Sequence, residues 1–367
     1  MNYNFYISNN STFIILIIFL AINIIFIFLK IFRKENTDYK FIYGMFRTKK
    51  LIEIMKKLSN SKFSKFLSIS SLILGPILLT LAVFFLFFGI LTRTPTYAPA
   101  LPGISYGPIT LPVAQTIISI FIAAFIHEFA HGVLVYKNNL DLKSWGFFYL
   151  GPLIGAFVEP DEREIEKLNN KEQIKIYSAG AAINIIAGLI FLFLFLFFLY
   201  IISIFNLATP YVKILYTLPN TYAYNVIPNN TILYSINGNQ ILYLNQIEKV
   251  LNNTEPGEYI LLNTSAGLFN IKLTDKDGKP FIGIVTEQEY NYKVPGINFF
   301  ESLLFWLFVI NIGLGIGNMI PIYPLDGGKT LKSILEIFLD KKESRIIIIS
   351  LSIILLVLIL YNISFIL

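Results

Sequence analysis

Two histidines occur in the whole chain, His127 and His131, and Glu128 stands with them in the order H-E-x-x-H. The surrounding stretch, FIAAFIHEFAHGVLVY at 121–136, is otherwise almost wholly apolar. On a helix, positions i and i+4 share one face a turn apart, so both imidazoles can reach one metal ion. Glu128 lies three residues before His131 and borders that face. There it can act on a water at the metal without being a ligand itself. The competing reading is three polar residues satisfied in a core. A charged residue at the centre of a spanning helix costs about 2.5–3.5 kcal/mol on insertion scales. Three ionisable residues within five positions of an apolar run are therefore hard to explain as packing. The pattern points to metal-assisted hydrolysis, with His127 and His131 as ligands and Glu128 as general base.

Two histidines do not complete a catalytic zinc site, which needs a further protein ligand and an open position for water. The chain has no cysteine and no other histidine, so that ligand must be a carboxylate at membrane depth on the side of His131. Asp326 in PLDGG meets the requirement, and the two glycines behind it let backbones approach closely. The plain alternative is turn chemistry, since Asp-Gly-Gly commonly caps a helix. Beside a membrane-embedded H-E-x-x-H, ligation is the favoured reading, and Glu159 in GAFVEPDE is the next carboxylate to consider.

The elements that must position these groups are membrane helices. The chain has 367 residues, 55% of them hydrophobic and 14% charged, with a mean hydropathy of +0.65. Several apolar runs exceed the roughly 20 residues that cross a bilayer. These features describe a polytopic α-helical membrane protein with about six transmembrane helices, expected at 12–32, 67–91, 113–136, 176–205, 298–320 and 346–366. The first run is read as a retained anchor and not a signal peptide, because its basic cluster follows the apolar stretch and no small-residue cleavage site is evident. The second is expected to kink or break at Gly75-Pro76.

Ten basic residues fall in 33–66, and further clusters lie in 137–175 and 329–345, which marks these segments as cytoplasmic. The net charge of +6 is thus accounted for by membrane-flanking loops and does not indicate a nucleic-acid partner. LIEIMKKL at 51–58 has helical periodicity and is expected on the membrane surface. Segment 93–112 is rich in Pro and Gly with one basic residue, as suits an extracytoplasmic loop. GFFYLGPLIGAFVEPDE at 146–162 is read as a hairpin beside the site or as a surface loop. In the fourth span, Ala179, Gly180, Ala181 and Ala182 permit close helix contact, and Asn184 is a lone polar group at membrane depth. It serves either as packing glue or as a hydrogen-bond donor to a ligand.

Residues 207–296 change character. Short alternating runs at 231–238, 258–263 and 268–273 are separated by Pro228-Asn229-Asn230, Asn237-Gly238, Pro256-Gly257 and Asp277-Gly278. They read as a small soluble β-rich domain inserted between membrane parts at 1–206 and 297–367. Alternating loops place it outside, with both termini outside and the histidines toward the cytoplasmic half of their helix.

HEFAH on one core helix, with Asn318, Pro321, Pro324, Leu325, Asp326, Gly327 and Gly328 in the order N-x-x-P-x-x-P-L-D-G-G, resembles the site-2 protease family of intramembrane metalloproteases. The chain is most similar to the archaeal and bacterial branch with an inserted PDZ-like domain, to which TILYSING corresponds. Asn230-Thr231 replaces the usual Gly-Asp of that piece, and Ala181 replaces the proline of the family's Gly-Pro-x-x-x-Asn pattern. The resemblance spans roughly 41–330. It implies a zinc cofactor and hydrolysis of a peptide bond in or beside a transmembrane helix of a membrane-protein substrate, within the lipid bilayer of the cell. Asn184, Asn318 and the 146–162 hairpin become candidates to bind the unwound substrate backbone, the hairpin by strand addition. Two other classes remain to be weighed, a membrane zinc transporter or metal carrier and a catalytically inactive scaffold. A carrier distributes ligands along a pathway, and a scaffold has no use for Glu128.

The orientation is testable because the chain lacks cysteine. A cysteine introduced at Val250 is expected to react with an impermeant reagent on intact cells. Labelling only after lysis would overturn the orientation.

Overall fold

A computed structural model describes residues 9–106 and 109–365. The expectations for residues 1–8, for 107 and 108 in the Pro/Gly loop and for the end of the last span at 366 lie outside the described residues. The chain divides into two compact units, 1–196 with 299–367, and 197–298.

Among the described residues six helices are long and apolar enough to cross a membrane: Ser11–Phe32, Lys62–Thr92, Val113–Lys137, Ala179–Ile204, Ile297–Gly317 and Lys341–Ile363. Of the most apolar stretch of Val113–Lys137, 44% is buried within the protein, against 11% for Ala179–Ile204. The helix carrying both histidines is thus the most enclosed of the six. The helix Lys62–Thr92 begins at Ser61, whose hydroxyl accepts from the Ser64 N–H, and it continues through Pro76. The break expected at Gly75-Pro76 is absent. Gly75 faces Ser178 so closely that a β-carbon would collide with it, which explains a small residue there. The fourth span is shorter than expected, because Asn170–Tyr177 forms a separate helix, capped by Asn169, ahead of Ala179.

The basic segment 33–66 holds structure that its charge conceals. Thr37–Tyr39 and Tyr43–Thr48 form a hairpin, and Tyr43–Thr48 pairs with Leu142–Leu150, which pairs with Leu153–Pro160. The result is a four-stranded antiparallel sheet with Leu153–Pro160 at its edge. Tyr149 fastens this sheet to the first spanning helix. Its hydroxyl bonds to the Lys40 carbonyl at 2.6 Å and to Asn23 Oδ1 at 3.2 Å, and its ring meets Phe26 edge-on. Gly44 leaves the room that this ring fills.

The helix expected on the membrane surface at 51–58 is present as Ile52–Ser59, but it turns inward. Met55 is buried, with its sulfur against Gly132 of the histidine helix. The same core takes in Leu67, Val133, Leu134, Trp145, Ile165 and Ile176. Lys56 and Lys57 stay on the solvent side, as an amphipathic helix allows.

The second unit has a sheet in the order Gly267–Lys272, Tyr259–Thr264, Thr231–Ile236, Ala208–Thr217, Ile284–Tyr292. Alternate residues of Tyr259–Thr264 are buried, and Val212, Ile214, Leu233, Ile236, Ile260 and Leu262 form its core. Asn237-Gly238 and Asp277-Gly278 both have positive φ at each residue, the backbone of tight hairpin turns. The edge strand Ile284–Tyr292 and the helix Leu244–Leu251 were not expected from the sequence.

At the far end of the last helix, Asn362 is fully buried. Its Oδ1 accepts from the N–H groups of Thr96 and Tyr97 at 3.0 and 3.1 Å, and its Nδ2 donates to the Thr94 carbonyl at 3.1 Å. An unpaired buried polar group costs about 1–3 kcal/mol. Asn362→Leu is therefore expected to lower the unfolding temperature in detergent, whereas an unchanged temperature would show that water replaces the amide.

Candidate metal centre

His127 and His131 lie one turn apart on Val113–Lys137, with ring centroids 4.8 Å apart. Both are buried, at 4% and 9% exposure. Their Nε2 atoms converge on Asp326 Oδ2, at 2.9 Å from His127 and 3.1 Å from His131. Each of these residues offers a ligand atom, and the three atoms lie within 4.8 Å of one another. Ligands about 2.0–2.1 Å from a tetrahedral zinc stand roughly 3.3 Å apart. The donor set of two imidazoles and a carboxylate, with both imidazole–carboxylate separations near that spacing, fits a zinc ion.

Asp326 reaches the histidines through close backbone packing. It opens the helix Asp326–Leu335, where the helix dipole favours a carboxylate. The Gly327 N–H donates to the Asn318 carbonyl at 2.8 Å. A β-carbon on Gly327 would strike the backbone of Met319, and one on Gly328 the backbone of Ile322. The same helix is tied to the chain that follows the sheet. Lys329 pairs with Glu162, Lys332 with Glu166 at 2.6 Å, and the Ser333 hydroxyl donates to Gln173 Oε1 at 2.9 Å. The Lys332 ammonium holds the Glu166 carboxyl below its usual range.

The remaining atoms of the site are held individually. His131 Nδ1 donates to the Ile176 carbonyl at 2.7 Å, which fixes the ring with Nε2 turned toward Asp326. His127 Nδ1 is 3.1 Å from Asn184 Nδ2, and Asn318 Nδ2 is 3.4 Å from His127 Nε2. Gly180 lies over the His127 ring, where a β-carbon would overlap the imidazole. Glu128 Oε2 accepts from the Val158 N–H of the edge strand at 3.0 Å. The strand thus orients the glutamate while leaving its other oxygen for a proton. Glu159 is not part of this cluster, since its carboxylate bonds to Ser144 and to Arg47.

The structure therefore brings together His127, His131 and Asp326, with Glu128, Asn184 and Asn318 around them. The Val158 N–H and the Ile176 carbonyl were not anticipated, and Gly180 was expected to permit close helix contact but not to lie against His127. Main-chain groups have no side-chain signature, and only the small residues before Asn184 hinted at close approach.

An uncharacterised protein of Methanocaldococcus jannaschii is 27% identical over 324 residues, covering 83% of this chain and 81% of that protein. Two solved structures are similar to part of the chain. The PDZ domain of an SdrC-like protein from Listeria monocytogenes matches at 25% identity, covering 20% of this chain and 85% of that one, with a TM-score of 0.19. That of an SdrC-like protein from Listeria innocua matches at 20% identity, covering 21% and 93%, with a TM-score of 0.20. The model of peptidase family M50 matches residues 115–361, a span that includes both histidines, Glu128 and Asp326. This multi-pass membrane protein is a metalloprotease, and it belongs to peptidase family M50.

Proposed function

We propose that the chain is an intramembrane zinc endopeptidase of the site-2 type, which cuts a peptide bond in or beside a transmembrane helix of another membrane protein. The observation that carries this reading is Glu128, a free-ended carboxylate set next to the His127, His131 and Asp326 cluster on a helix able to cross a membrane.

His127, His131 and Asp326 would hold the zinc, which would supply Lewis acidity toward the scissile carbonyl and a water acidic enough to lose its proton near neutral pH. Glu128 accepts that proton on the oxygen not bonded to Val158, then passes it to the leaving amine nitrogen. A peptide bond inside a helix is shielded by its own hydrogen bonds, so the substrate must be locally unwound. The unpaired side of Leu153–Pro160 can take up the extended segment by strand addition, which aligns it alongside Glu128. Asn318, with its NH2 beside His127, is suited to bind a substrate carbonyl. The basic segments support an active site toward the cytoplasmic side and an inserted β-rich unit outside, where it screens substrates.

Cleavage of single-span proteins in liposomes tests this reading. Glu128→Gln is expected to keep zinc and lose about 10²–10⁴-fold in cleavage rate. Near-normal cleavage by the folded, zinc-loaded variant would rule out the general-base role. Asp326→Asn keeps size and turn preference but not the charge. Under mild chelation it is expected to lose zinc well before the wild type, along with its cleavage. Equal zinc retention and cleavage would remove Asp326 from the ligand set.

A further inference from the structure

One buried polar atom beside the cluster has no hydrogen-bond partner among the described residues: Oδ1 of Asn184. The residue itself is fully buried. An acceptor left unpaired in such a place is costly.

Ligation through Nε2 requires a neutral imidazole with its proton on Nδ1, and that proton needs an acceptor. For His131 the main chain provides it, because a carbonyl such as that of Ile176 only accepts. His127 has no such fixed partner. Its Nδ1 faces the Asn184 amide nitrogen at 3.1 Å, a contact that suits a bare Nδ1. The proton then sits on Nε2 and is donated to Asp326 Oδ2 at 2.9 Å. A ring in that tautomer cannot ligate through Nε2.

The ring has little freedom to adjust, since Gly180 lies directly against it. The amide does have that freedom. A half-turn about its last side-chain bond exchanges NH2 and C=O within nearly the same volume. It would set Oδ1 against Nδ1–H and put NH2 where Oδ1 now lies. A burial penalty remains after the exchange, but the histidine tautomer is reversed.

We infer that Asn184 is a positioning residue for the metal centre: its amide oxygen accepts from His127 Nδ1–H and so fixes the tautomer that exposes Nε2 to the ion. This rests on the proposed ligand set of His127, His131 and Asp326. It differs from a role in binding substrate, for which the NH2 group would be the working end. The two roles separate under substitution. Aspartate can accept from Nδ1–H but has no NH2 to offer a substrate, and leucine has a similar shape and can do neither.

The test uses the full chain in detergent micelles, with zinc affinity by chelator competition and ¹⁵N-imidazole NMR of the zinc-loaded protein. With only two histidines, every ring signal belongs to the site. Wild type is expected to carry a proton on Nδ1 of both rings. Asn184→Leu is expected to bind zinc about 10–100-fold more weakly, as loss of such an outer partner does elsewhere, and Asn184→Asp to restore binding close to wild type. A bare Nδ1 on His127 in the zinc-loaded wild type would overturn the inference, whether or not Asn184→Leu folds. So would an Asn184→Asp protein that binds as weakly as Asn184→Leu. If zinc perturbs neither ring, the ligand set itself is wrong and this inference falls with it.

Discussion

A carboxylate buried against two imidazoles is the interaction on which the rest of the membrane unit depends. The Asp326 side chain is only 18% exposed. A lone ion in such a medium faces a penalty of several kcal/mol even after relaxation. The helix N-terminus offsets a little of this, and a divalent cation far more. The histidines are equally committed, each with one nitrogen on Asp326 and the other on a buried partner. Removing one member leaves the others with unmet polar demands. The centre is therefore an all-or-none feature, and the surrounding packing serves to bring its parts to one point.

That packing couples side chains of the candidate site drawn from distant parts of the chain. Arg47 pairs with Asp38 at 2.7 Å and with Glu159 at 3.4 Å, which binds the first hairpin to the edge strand. The edge strand in turn orients Glu128 through Val158. Beyond the strand, Glu162 and Glu166 engage Lys329 and Lys332 on the helix that begins with Asp326. A single run of chain thus positions the proposed general base at one end and braces the proposed metal ligand at the other. Exposed ion pairs contribute little to stability individually. Here their value lies in fixing how two elements sit together.

How legible each part was in the sequence follows from how local its signal is. His127, Glu128 and His131 lie within one helical turn and a third, so their periodicity alone revealed a shared face. Asp326 is nearly two hundred residues away in sequence, and it was reached only because few carboxylates lie at membrane depth. The strands Thr37–Tyr39 and Tyr43–Thr48 were missed because they sit in a segment rich in Lys and Arg, and the partner that ties this hairpin into a larger sheet, Leu142–Leu150, is about a hundred residues further on. Ile284–Tyr292 escaped notice for a related reason. It is an edge strand with glutamates at 287 and 289, and polar edges weaken the alternation that marks a strand. Ile52–Ser59 was visible as an amphipathic helix, but its hydrophobic face does not state whether lipid or protein will cover it. The outer partners of the histidines were least accessible, because a main-chain carbonyl looks the same under every side chain.

Every role proposed for this site depends on the first coordination sphere of the metal. X-ray absorption at the zinc edge of the purified, stoichiometrically loaded protein reads it directly, since imidazole rings give a distinctive multiple-scattering pattern. The structure predicts two imidazoles with nitrogens at about 2.0–2.1 Å, oxygen making up the remaining ligands, and no sulfur. A spectrum with one imidazole or none would contradict it, because His127 and His131 are the only histidines the protein has.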